Sequence, residues 1–545
     1  MPVITFSKKD LLNLMGEEIE AEELKYSISM IGTDLDEFSE EITVEIFPDR
    51  PDMLSVEGLA RALEGFLGIK TGLEKFEVHE DERFVAQIEE KVKKVRPAVV
   101  CAVVKDVELS DEAVKSLMQI QEKLHITHGR DRRRVSIGIH DLDKITFPVI
   151  YTTKSPEFSF IPLESFHEMS MREILSKHKK GKEYAHLLEG FSEYPVWIDS
   201  QGRVLSMPPI INSEDTKVEE KTKHLFLDVT GLHEKSVEQA LNILVAGLHK
   251  RGGRIFKTKV FKYSKEMYYP RLAPLGMSLD LHYTNKLLGL SLSRKEVKKL
   301  LEKMRFGIDE NLNVKIPAYR ADILHPIDLV EDVGIAFGFD NFLEEIPEIS
   351  TIGEESPKAI FERKIASLMV GFGLLEVKNY ILSNKKVLFE RMNLAEDKVI
   401  ETRNALTSEY DTLRSWLLPM LLKVYSQNKH NTYPQNIFEL GEVVIPDEHK
   451  EEKTREEIHL ACGISHPRAT FTEAKEILSS FFLNLGEEFE LLEDEHPSFI
   501  YGRCGAVLYK GKKIGIIGEI HPQVLFNWEL SNPVSAFEID LEDLI

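Results

Sequence analysis

The sequence predicts an α+β protein of several domains: two duplicated small helical modules of winged-helix-like form, a central α+β domain, and a C-terminal antiparallel sheet that carries helices. Three observations lead to this prediction. The chain has 545 residues, which is enough for three or four domains of roughly 150 residues each. Residues 46–69 resemble residues 316–339 without a gap, and strand-like runs fill the chain between and after these segments. The predicted domains are residues 1–84, 85–267, 268–345 and 346–545.

The two similar segments contain the same Arg-x-Asp pattern, with Arg50 and Asp52 in the first and Arg320 and Asp322 in the second. The apolar positions that follow are four or five residues apart, which predicts one face of a helix. Upstream of each segment the sequence is typical of a short helix, a glycine turn and a longer amphipathic helix. We therefore predict that each module is a helix pair followed by a short strand and another helix.

The central domain is predicted from strand-like runs interleaved with helical ones. The strand-like runs are 98–109, 135–142, 194–211 and 224–232, and the helical runs are 113–127 and 236–253. After a linker at 349–358 with helix- and strand-breaking residues, which include Gly353 and Pro357, amphipathic helices alternate with the extended runs 433–445, 504–520 and 535–542. This pattern predicts an antiparallel sheet with helices.

Composition and charge restrict the class of protein. The net charge of −23 opposes coating of the whole surface by nucleic acid, so any contact with a phosphate backbone has to be local. Four basic clusters are candidates for such a contact, although most clusters of this kind are solvated surface. They are Lys93, Lys94 and Arg96; Arg130, Arg132, Arg133 and Arg134; Lys177–Lys182; and Lys250–Lys259.

The sequence contains no run of roughly 20 apolar residues and no apolar signal core near its start. We therefore expect a cytoplasmic protein without membrane association. The three cysteines, Cys101, Cys462 and Cys504, are far apart in the sequence. Their spacing favours buried free thiols over a disulfide framework or a zinc site.

The second module carries four acidic residues that suggest a metal site. Pro326 is placed to begin a helix, so the acids at i, i+3 and i+4 would share its first turns, with a further acid just before it. Carboxylates without histidine or cysteine suit Mg²⁺. The alternative is that these acids complement the helix dipole. The candidate ligands are Asp322, Asp328, Glu331 and Asp332.

The first module keeps only one of these four acids. Its residues at the positions of the three helix acids are Gly58, Arg61 and Ala62. A common fold therefore does not require the three acids, which favours a functional role for them. The shared pairs, Arg50 with Asp52 and Arg320 with Asp322, are interpreted as architectural ion pairs.

Five motifs together resemble one family, the beta subunit of phenylalanyl-tRNA synthetase in its archaeal and eukaryotic form. They occur in the family's order and span nearly the whole chain. The motifs are FPDRPDMLSVEGLARAL, GRDRRRVSIGIHDLDKI, MPPIINSEDT, LFLDVTG and PAYRADILHPIDLVEDVGIAFGFDN.

This resemblance implies a heterotetramer of two alpha and two beta subunits that attaches phenylalanine to tRNA(Phe), with ATP bound in the alpha subunit. It implies that the acidic cluster is the family's Mg²⁺ site and that the central domain hydrolyses tyrosine wrongly attached to the same tRNA. It also implies that the C-terminal domain resembles a class II synthetase catalytic domain that has lost its active site. The residues agree with that loss, because Arg414 is followed by Ser415 and Trp416 instead of completing an R-x-E element, and residues 515–528 contain no arginine.

Candidate editing residues lie on two segments of the central domain, and we predict hydrolysis by a positioned water. Asp228 can accept a hydrogen bond from the tyrosine hydroxyl or orient the water, whereas Thr230, Ser206 and Ser213 can position the ester or the terminal adenosine. Each residue taken singly is equally well explained as a turn cap or a strand-surface polar group. His140 is interpreted as a packed structural residue. The alternative function is a noncatalytic subunit for assembly and tRNA positioning, and a more remote one is a free-standing aminoacyl-tRNA hydrolase.

Overall fold

The computed structural model describes residues 2–544, which form two compact units: the first ends at Ile346 and the second begins at Pro347. Both units combine helices with sheets, so the prediction of a multidomain mixed α/β protein is confirmed. Cys101, Cys462 and Cys504 are free and buried, as predicted. Within residues 2–544 the structure has no helix whose length and apolarity would let it cross a bilayer.

The N-terminal region of the first unit folds as a three-stranded antiparallel sheet, in the order β1-β3-β2, covered by helices. Gly16, at a φ of 73°, ends the first helix in the left-handed conformation that glycine adopts without strain. The elements are β1 (Val3–Ser7), α1 (Lys8–Met15), α2 (Ala21–Met30), β2 (Thr33–Phe38), β3 (Glu41–Ile46) and α3 (Val56–Phe66).

The central region contains an eleven-stranded sheet whose main path runs β13-β12-β11-β8-β5-β15-β6-β14-β7. The buried strand β14 lies between β6 and β7 and pairs antiparallel with both. The elements are β4 (Val78–His79), β5 (Val85–Ile88), β6 (Ala98–Lys105), α4 (Asp111–Ile126), β7 (Val135–Asp141), β8 (Val149–Lys154), β9 (Ser159–Phe160), β10 (Met169–Ser170), α5 (Met171–Lys177), α6 (Lys179–Tyr184), β11 (Tyr194–Ile198), β12 (Val204–Met207), β13 (Ile211–Asn212), β14 (Leu225–Gly231), α7 (Glu234–Lys250), β15 (Arg254–Lys262) and β16 (Lys265–Tyr269).

The last region of the first unit has the same element order as the N-terminal region: strand, two helices, two strands and a helix. Its short helix also ends at a left-handed glycine, Gly289, at a φ of 65°. The elements are β17 (Leu275–Ser278), α8 (Leu281–Leu288), α9 (Arg294–Lys303), β18 (Gly307–Ile308), β19 (Asn313–Ile316) and α10 (Pro326–Phe337).

The two Arg-x-Asp patterns lie together inside the first unit. Arg50 donates two hydrogen bonds of 2.9 Å to Asp52, and Arg320 donates to Asp322 at 2.6 to 3.1 Å. Arg50, Asp52 and Arg320 line one small cavity together with Tyr319. Arg50, Asp52 and Arg320 are buried and the side chain of Asp322 is 10% exposed, so these charges depend mainly on their partners in place of water.

The second unit is built around a seven-stranded sheet in the order β20-β23-β24-β28-β27-β26-β25, antiparallel except where β20 pairs with β23. Its elements are α11 (Pro357–Gly371), β20 (Leu375–Glu376), β21 (Leu382–Ser383), α12 (Lys385–Leu388), β22 (Thr412–Leu413), α13 (Leu418–Asn428), β23 (Gln435–Pro446), β24 (Thr454–Ser465), α14 (Phe471–Leu485), β25 (Glu490–Glu493), β26 (Phe499–Tyr509), β27 (Lys512–Ile520), α15 (Pro522–Asn527) and β28 (Val534–Asp540).

Two runs predicted as continuous strands are hairpins. The run 504–520 turns at Lys510 and Gly511, whose φ angles of 49° and 79° suit a two-residue hairpin turn. The run 194–211 turns after Asp199, whose carboxylate accepts hydrogen bonds from the backbone N–H groups of Gln201 and Arg203. Both runs have strand-like composition on either side of the turn. Each turn lies in a short sequence that contains a single glycine, Gly202 in the first run and Gly511 in the second.

Candidate functional site

A cavity of about 360 Å³ in the central region is the candidate site. Its walls come from α4, β7, β14 and the segment from Ser206 to Asn212 that joins β12 to β13. The polar side chains of its lining include Gln121, Glu122, His125, Arg132, Ser136, Ser206, Asn212 and Asp228. A partly apolar cavity with a few converging polar groups is the usual form of a small-molecule site.

Asp228 is the central charged group of this cavity. It lies on β14, only 1% exposed, and its Oδ2 is 2.9 Å from Nε2 of His140 on the neighbouring strand β7. The other ring nitrogen of His140, Nδ1, is 2.9 Å from the hydroxyl of Thr216. With the carboxylate ionised, Nε2–H of His140 donates to Asp228. The imidazole therefore holds the carboxylate in one orientation.

Gly138 provides the space that this pair occupies. A Cβ atom at position 138 would lie 2.0 Å from Oδ2 of Asp228 and 2.7 Å from Nε2 of His140. Gly138 is also the direct cross-strand partner of Asp228. Any larger residue would displace either the carboxylate or the imidazole.

Ser206 contributes a hydroxyl without a partner. The residue is 2% exposed, and its Oγ makes no hydrogen bond to the residues that the structure describes. A buried polar atom is normally hydrogen-bonded, so this unpaired hydroxyl on a residue of the cavity lining can bond to a ligand or to water.

His125, another residue of the cavity lining, also has a buried polar atom without a hydrogen-bond partner. Its Nε2 accepts a hydrogen bond of 2.8 Å from the backbone N–H of Ile137, and burial lowers its pKa to about 4. The ring is therefore neutral near pH 7, and its proton is on Nδ1. Nδ1 is 3.6 Å from Oε2 of Glu122, which is too long for a hydrogen bond.

Two of the four predicted editing residues do not line the cavity. Thr230 accepts a hydrogen bond of 3.0 Å from Nε of Arg96. Ser213 donates to the carbonyl of Ile161 at 3.2 Å and accepts from the N–H of Asp215, so it begins a short 3₁₀ turn. The structure thus brings Ser206 and Asp228 to the cavity and gives Thr230 and Ser213 protein partners.

Sequence reasoning missed the part that His140 plays. The histidine is packed, as predicted, but its ring bonds directly to Asp228 across 88 positions of the chain. The signal was the alternation of Gly138 and His140 on one strand, which places both on the same face. Recognising it required the knowledge that β7 pairs with β14 in this register.

Three of the four acidic residues of the second module are held by hydrogen bonds within the protein. Nη2 of Arg320 donates to Asp322 and to Asp332 at 2.6 Å each. Oδ2 of Asp328 accepts from the N–H groups of Leu324 and His325 at 2.7 and 2.8 Å, closing a capping box at the start of α10. Glu331 is exposed.

Charge and burial affect two of these acids in the same direction. Burial raises the pKa of Asp332 to about 6, although Arg320 opposes the shift. Burial, followed by the charges of Asp49, Asp328 and Asp322, raises the pKa of Glu331. The oxygen donors suit Mg²⁺ chemically. Within residues 2–544, the groups of three or more potential ligands whose atoms lie close enough to share an ion are elsewhere. Those groups are Glu457, His459 and Asp540, and Asp34, Asp36 and Glu45.

In the group of Glu457, His459 and Asp540, hydrogen bonds to the histidine explain why its side chain lies close to carboxylates. Nδ1 of His459 is 2.7 Å from Glu538 and Nε2 is 3.2 Å from Glu457, so both ring nitrogens have carboxylate partners. These partners raise the pKa of His459 to about 9 against the opposing effect of burial. His459 is therefore a cation near pH 7.

Arg414, which sequence analysis compared with the ATP-binding arginine of class II sites, is hydrogen-bonded within the protein. Its Nη1 donates to Oε1 of Glu439 at 2.6 Å and its Nε donates to the carbonyl of Glu442 at 2.9 Å. Glu439 is completely buried. Arg414 and Glu439 therefore form a buried structural ion pair in the second unit.

Family models match four consecutive parts of the chain. Residues 1–69 match the Phe-tRNA synthetase beta subunit B1 domain, and residues 81–246 match the B3/4 domain. Residues 277–339 match the tRNA synthetase B5 domain, and residues 344–541 match the phenylalanyl tRNA synthetase beta chain CLM domain.

Curated relatives match over the full length. The phenylalanine–tRNA ligase beta subunit of Pyrococcus furiosus is 44% identical over 555 residues, covering 100% of both chains. The subunits of the same name from Thermococcus sibiricus and Archaeoglobus fulgidus are 43% and 42% identical, with 99% of this chain and 98% of each relative covered. A crystal structure of an N-terminal fragment of the phenylalanyl-tRNA synthetase beta subunit from Pyrococcus horikoshii is similar at a TM-score of 0.59 and 41% identity, covering 62% of this chain and 99% of that one.

Proposed function

The chain belongs to the phenylalanyl-tRNA synthetase beta-subunit family, and from this premise we propose that its central region, residues 85–267, hydrolyses tyrosine wrongly attached to tRNA(Phe). The observation that carries the proposal is the cavity in which a carboxylate held by His140 lies with the unpaired hydroxyl of Ser206. In this proposal the partner alpha subunit charges the tRNA with phenylalanine, and two alpha and two beta subunits form the enzyme.

Selection for tyrosine follows from the chemistry of the cavity. Tyrosine differs from phenylalanine by one hydroxyl, which an apolar pocket rejects only modestly. A site built to hydrogen-bond that hydroxyl discriminates far better, because phenylalanine would leave buried polar atoms unpaired. An ionised carboxylate only accepts hydrogen bonds, so Asp228 would accept the phenolic O–H.

The proposed reaction is ester hydrolysis by a positioned water. The water oxygen attacks the carbonyl carbon of the aminoacyl ester, and the bond from that carbon to the ribose oxygen breaks. The ribose oxygen takes up a proton, and tyrosine leaves as the free amino acid. Ser206, His125 and Asn212 line the cavity and can hold the ester and the water. The described residues offer no paired nucleophile and base at this wall, which favours water over a covalent intermediate.

The test is deacylation of tRNA(Phe) charged with tyrosine, measured on the complex of this chain with its alpha subunit. We expect the wild type to release tyrosine and Asp228→Asn to lose at least about tenfold in kcat/KM, since it removes an acceptor buried in the site. Asp215→Asn removes an exposed carboxylate of the same region and is the matched control. Equal release by all three proteins would contradict the assignment of Asp228. No release by the wild type would favour the noncatalytic role in assembly and tRNA positioning.

The site of Mg²⁺ is a second part of the proposal. Asp322, Asp328, Glu331 and Asp332 would hold the ion through oxygen, with water completing its coordination. The proposal is supported by the absence of the three helix acids at the matching positions of the first module and by the exposure of Glu331. Bound there, the ion would supply positive charge to a cluster in which Arg320 is now the partner of Asp322 and Asp332.

The architecture of the four regions completes the proposal. The boundaries 1–84, 85–267, 268–345 and 346–545 separate two duplicated modules, the editing region and a class II-like region without a catalytic site. Duplication is supported by the shared element order and by the two Arg-x-Asp pairs. Loss of catalysis in the last region is supported by the partners of Arg414.

A further inference from the structure

A second, larger cavity lies beside the candidate editing site. Its volume is about 1260 Å³, and it shares Pro209 with the smaller cavity. Four arginines line it: Arg96, Arg130, Arg133 and Arg134. Two carboxylates, Asp131 and Glu189, line it as well, so its charge is positive in a protein whose net charge is −23.

Three of these arginines have no anionic partner. In the part of the chain that the structure describes, the guanidinium groups of Arg130, Arg133 and Arg134 form no ion pair and no hydrogen bond, and Nε of Arg134 is also buried. Most other arginines of the first unit are paired; Arg83 with Asp81 and Arg172 with Glu157 are exposed examples. Unpaired guanidinium groups around a concave surface are suited to phosphate, which they bind through parallel hydrogen bonds.

The loop that carries these arginines is held in an unusual conformation. Arg130, Asp131 and Arg132 have consecutive φ angles of 49°, 52° and 62°, in the left-handed region that residues with a Cβ seldom occupy. Such residues persist where neighbours hold them, and they concentrate at functional sites. The loop therefore presents its arginines in a fixed arrangement.

Arg96 stabilises the conformation of this loop through hydrogen bonds. It donates to the carbonyls of Arg132 and Arg133 at 2.9 and 3.3 Å. It also donates to the hydroxyl and the carbonyl of Thr230 at 3.0 Å each. Burial lowers its pKa to about 10, so it stays charged near pH 7. Thr230 is two residues from Asp228, and one guanidinium therefore joins the arginine loop to the strand of the editing site.

A helix end adds to the positive potential. Leu232 and His233 line the cavity immediately before α7, a helix of 17 residues that begins at Glu234. The partial positive charge of a helix N-terminus favours anions. The exposed ring of Phe191 lies on the same wall and offers a surface on which a base can stack.

We propose that this arginine cavity binds the phosphodiester backbone of the single-stranded 3′ end of tRNA and leads its aminoacylated terminus past Pro209 to Asp228. The identity of the RNA rests on the proposed editing function, whereas the affinity for a phosphodiester backbone rests on the cavity itself. Its volume is much larger than one phosphate requires, which favours a strand over a free anion.

The experiment uses the complex with the alpha subunit and the double variant Arg130→Gln/Arg133→Gln. Both side chains are exposed and make no contact that the fold needs. The matched control is Arg294→Gln/Lys295→Gln, which removes the same charge from exposed positions on the first turn of α9. The probes are a six-nucleotide RNA with the 3′-terminal sequence of the tRNA, tRNA(Phe) charged with tyrosine, and the tyrosyl ester of adenosine.

Two results are expected if the arginines contact phosphates. The slope of log affinity against log salt for the six-nucleotide RNA falls by about 1.4, since each phosphate contact on a single strand contributes about 0.7. The KM for deacylation of the charged tRNA rises about tenfold while kcat stays unchanged, because only binding of the backbone is weakened. Hydrolysis of tyrosyl adenosine, which has no backbone, stays at the wild-type rate.

Other outcomes separate the two proposals. The arginine site is overturned if the wild type does not bind the RNA, or if the double variant and the control have the same salt slope and KM. If the wild type binds the RNA with the expected slope but hydrolyses neither ester, the editing function fails and the phosphate site stands. Loss of tyrosyl adenosine hydrolysis in the double variant would also overturn the assignment, since it would place the arginines in the catalytic cavity.

Discussion

At the scale of single residues, the candidate site depends on a buried carboxylate that would be costly without its partners. Asp228 and His140 are each 1% exposed. Burying an ionised carboxylate without hydrogen bonds is so unfavourable that the group would take up a proton instead. The N–H of His140 compensates part of that cost, and a bound tyrosine hydroxyl would compensate more. The same arrangement that is proposed to select the ligand therefore stabilises the carboxylate.

Gly138 provides the sharpest test of this arrangement. We expect Gly138→Ala to push Asp228 away from His140, since the new Cβ would lie 2.0 Å from Oδ2. Misplacement by about 1 Å costs roughly a hundredfold in rate, so kcat/KM for deacylation should fall by about that factor. Charging with phenylalanine should be unaffected, which shows that the complex is intact.

Gly247→Ala is the matched control for this substitution. Gly247 lies within α7, where a new Cβ would meet only Cβ of Glu57, at 3.9 Å. Alanine in a helix interior is favoured over glycine by about 1 kcal/mol, so the control should fold and deacylate normally. Full activity in Gly138→Ala would show that the orientation of Asp228 does not matter.

At the scale of elements, α3 and α10 occupy the same place in two similar modules but differ in charge. In α3, Arg61 donates to Glu74 at 3.0 Å and to the carbonyl of Ala246 at 2.5 Å, so it anchors the module to the central region. At the matching position α10 carries Glu331, which is exposed. The same helix position therefore packs against the central region in the first module and carries an exposed carboxylate in the second.

Mg²⁺ binding tests the role proposed for α10. We expect Glu331→Gln to weaken Mg²⁺ affinity by at least about tenfold, as measured by titration calorimetry, since loss of a ligating or orienting group typically costs that much. Glu344→Gln removes an exposed carboxylate beyond α10 and should leave the affinity unchanged. Equal affinities in the two variants would exclude Glu331 as a ligand.

At the scale of the whole molecule, the proposal gives this chain the architecture and the hydrolytic cavity, and gives the adenylating site to the alpha subunit. Activation of an amino acid with ATP requires guanidinium groups that are free to clamp a triphosphate. Arg414 is instead paired with the buried Glu439. The net charge of −23 also opposes RNA contact over the whole surface, which is consistent with the proposed local contact at the arginine cavity.

The proposal that the alpha subunit activates the amino acid can be tested directly. We expect the isolated chain to show no phenylalanine-dependent exchange of pyrophosphate into ATP, and the complex with the alpha subunit to show it. Mixing the alpha subunit with the Asp228→Asn form should restore exchange to the wild-type level, because the editing cavity takes no part in activation. Exchange by the chain alone would refute the assignment of adenylate chemistry to its partner.

The local features of the fold were accessible from the sequence by itself. The gapless similarity of 46–69 to 316–339, the glycines that end α1 and α8, and Pro326 at the start of α10 each depend on neighbouring residues in the chain. Helix periodicity, left-handed caps and proline at the first helical position are short-range effects. They predicted the helix pairs of both modules and the multidomain mixed α/β class, whereas the short turns inside 194–211 and 504–520 were missed.

Only the tertiary structure decided which polar groups meet. The sequence named Asp228, Ser206 and the four acids, but strand order placed His140 against Asp228 and left Thr230 with Arg96. The tertiary structure likewise joined Arg320 to Asp322 and Asp332 and closed the capping box on Asp328, and the spacing of the acids had indicated neither partner. A carboxylate pairs with whichever donor the fold brings near. That choice depends on contacts between strands and helices far apart in the chain, which no local pattern records.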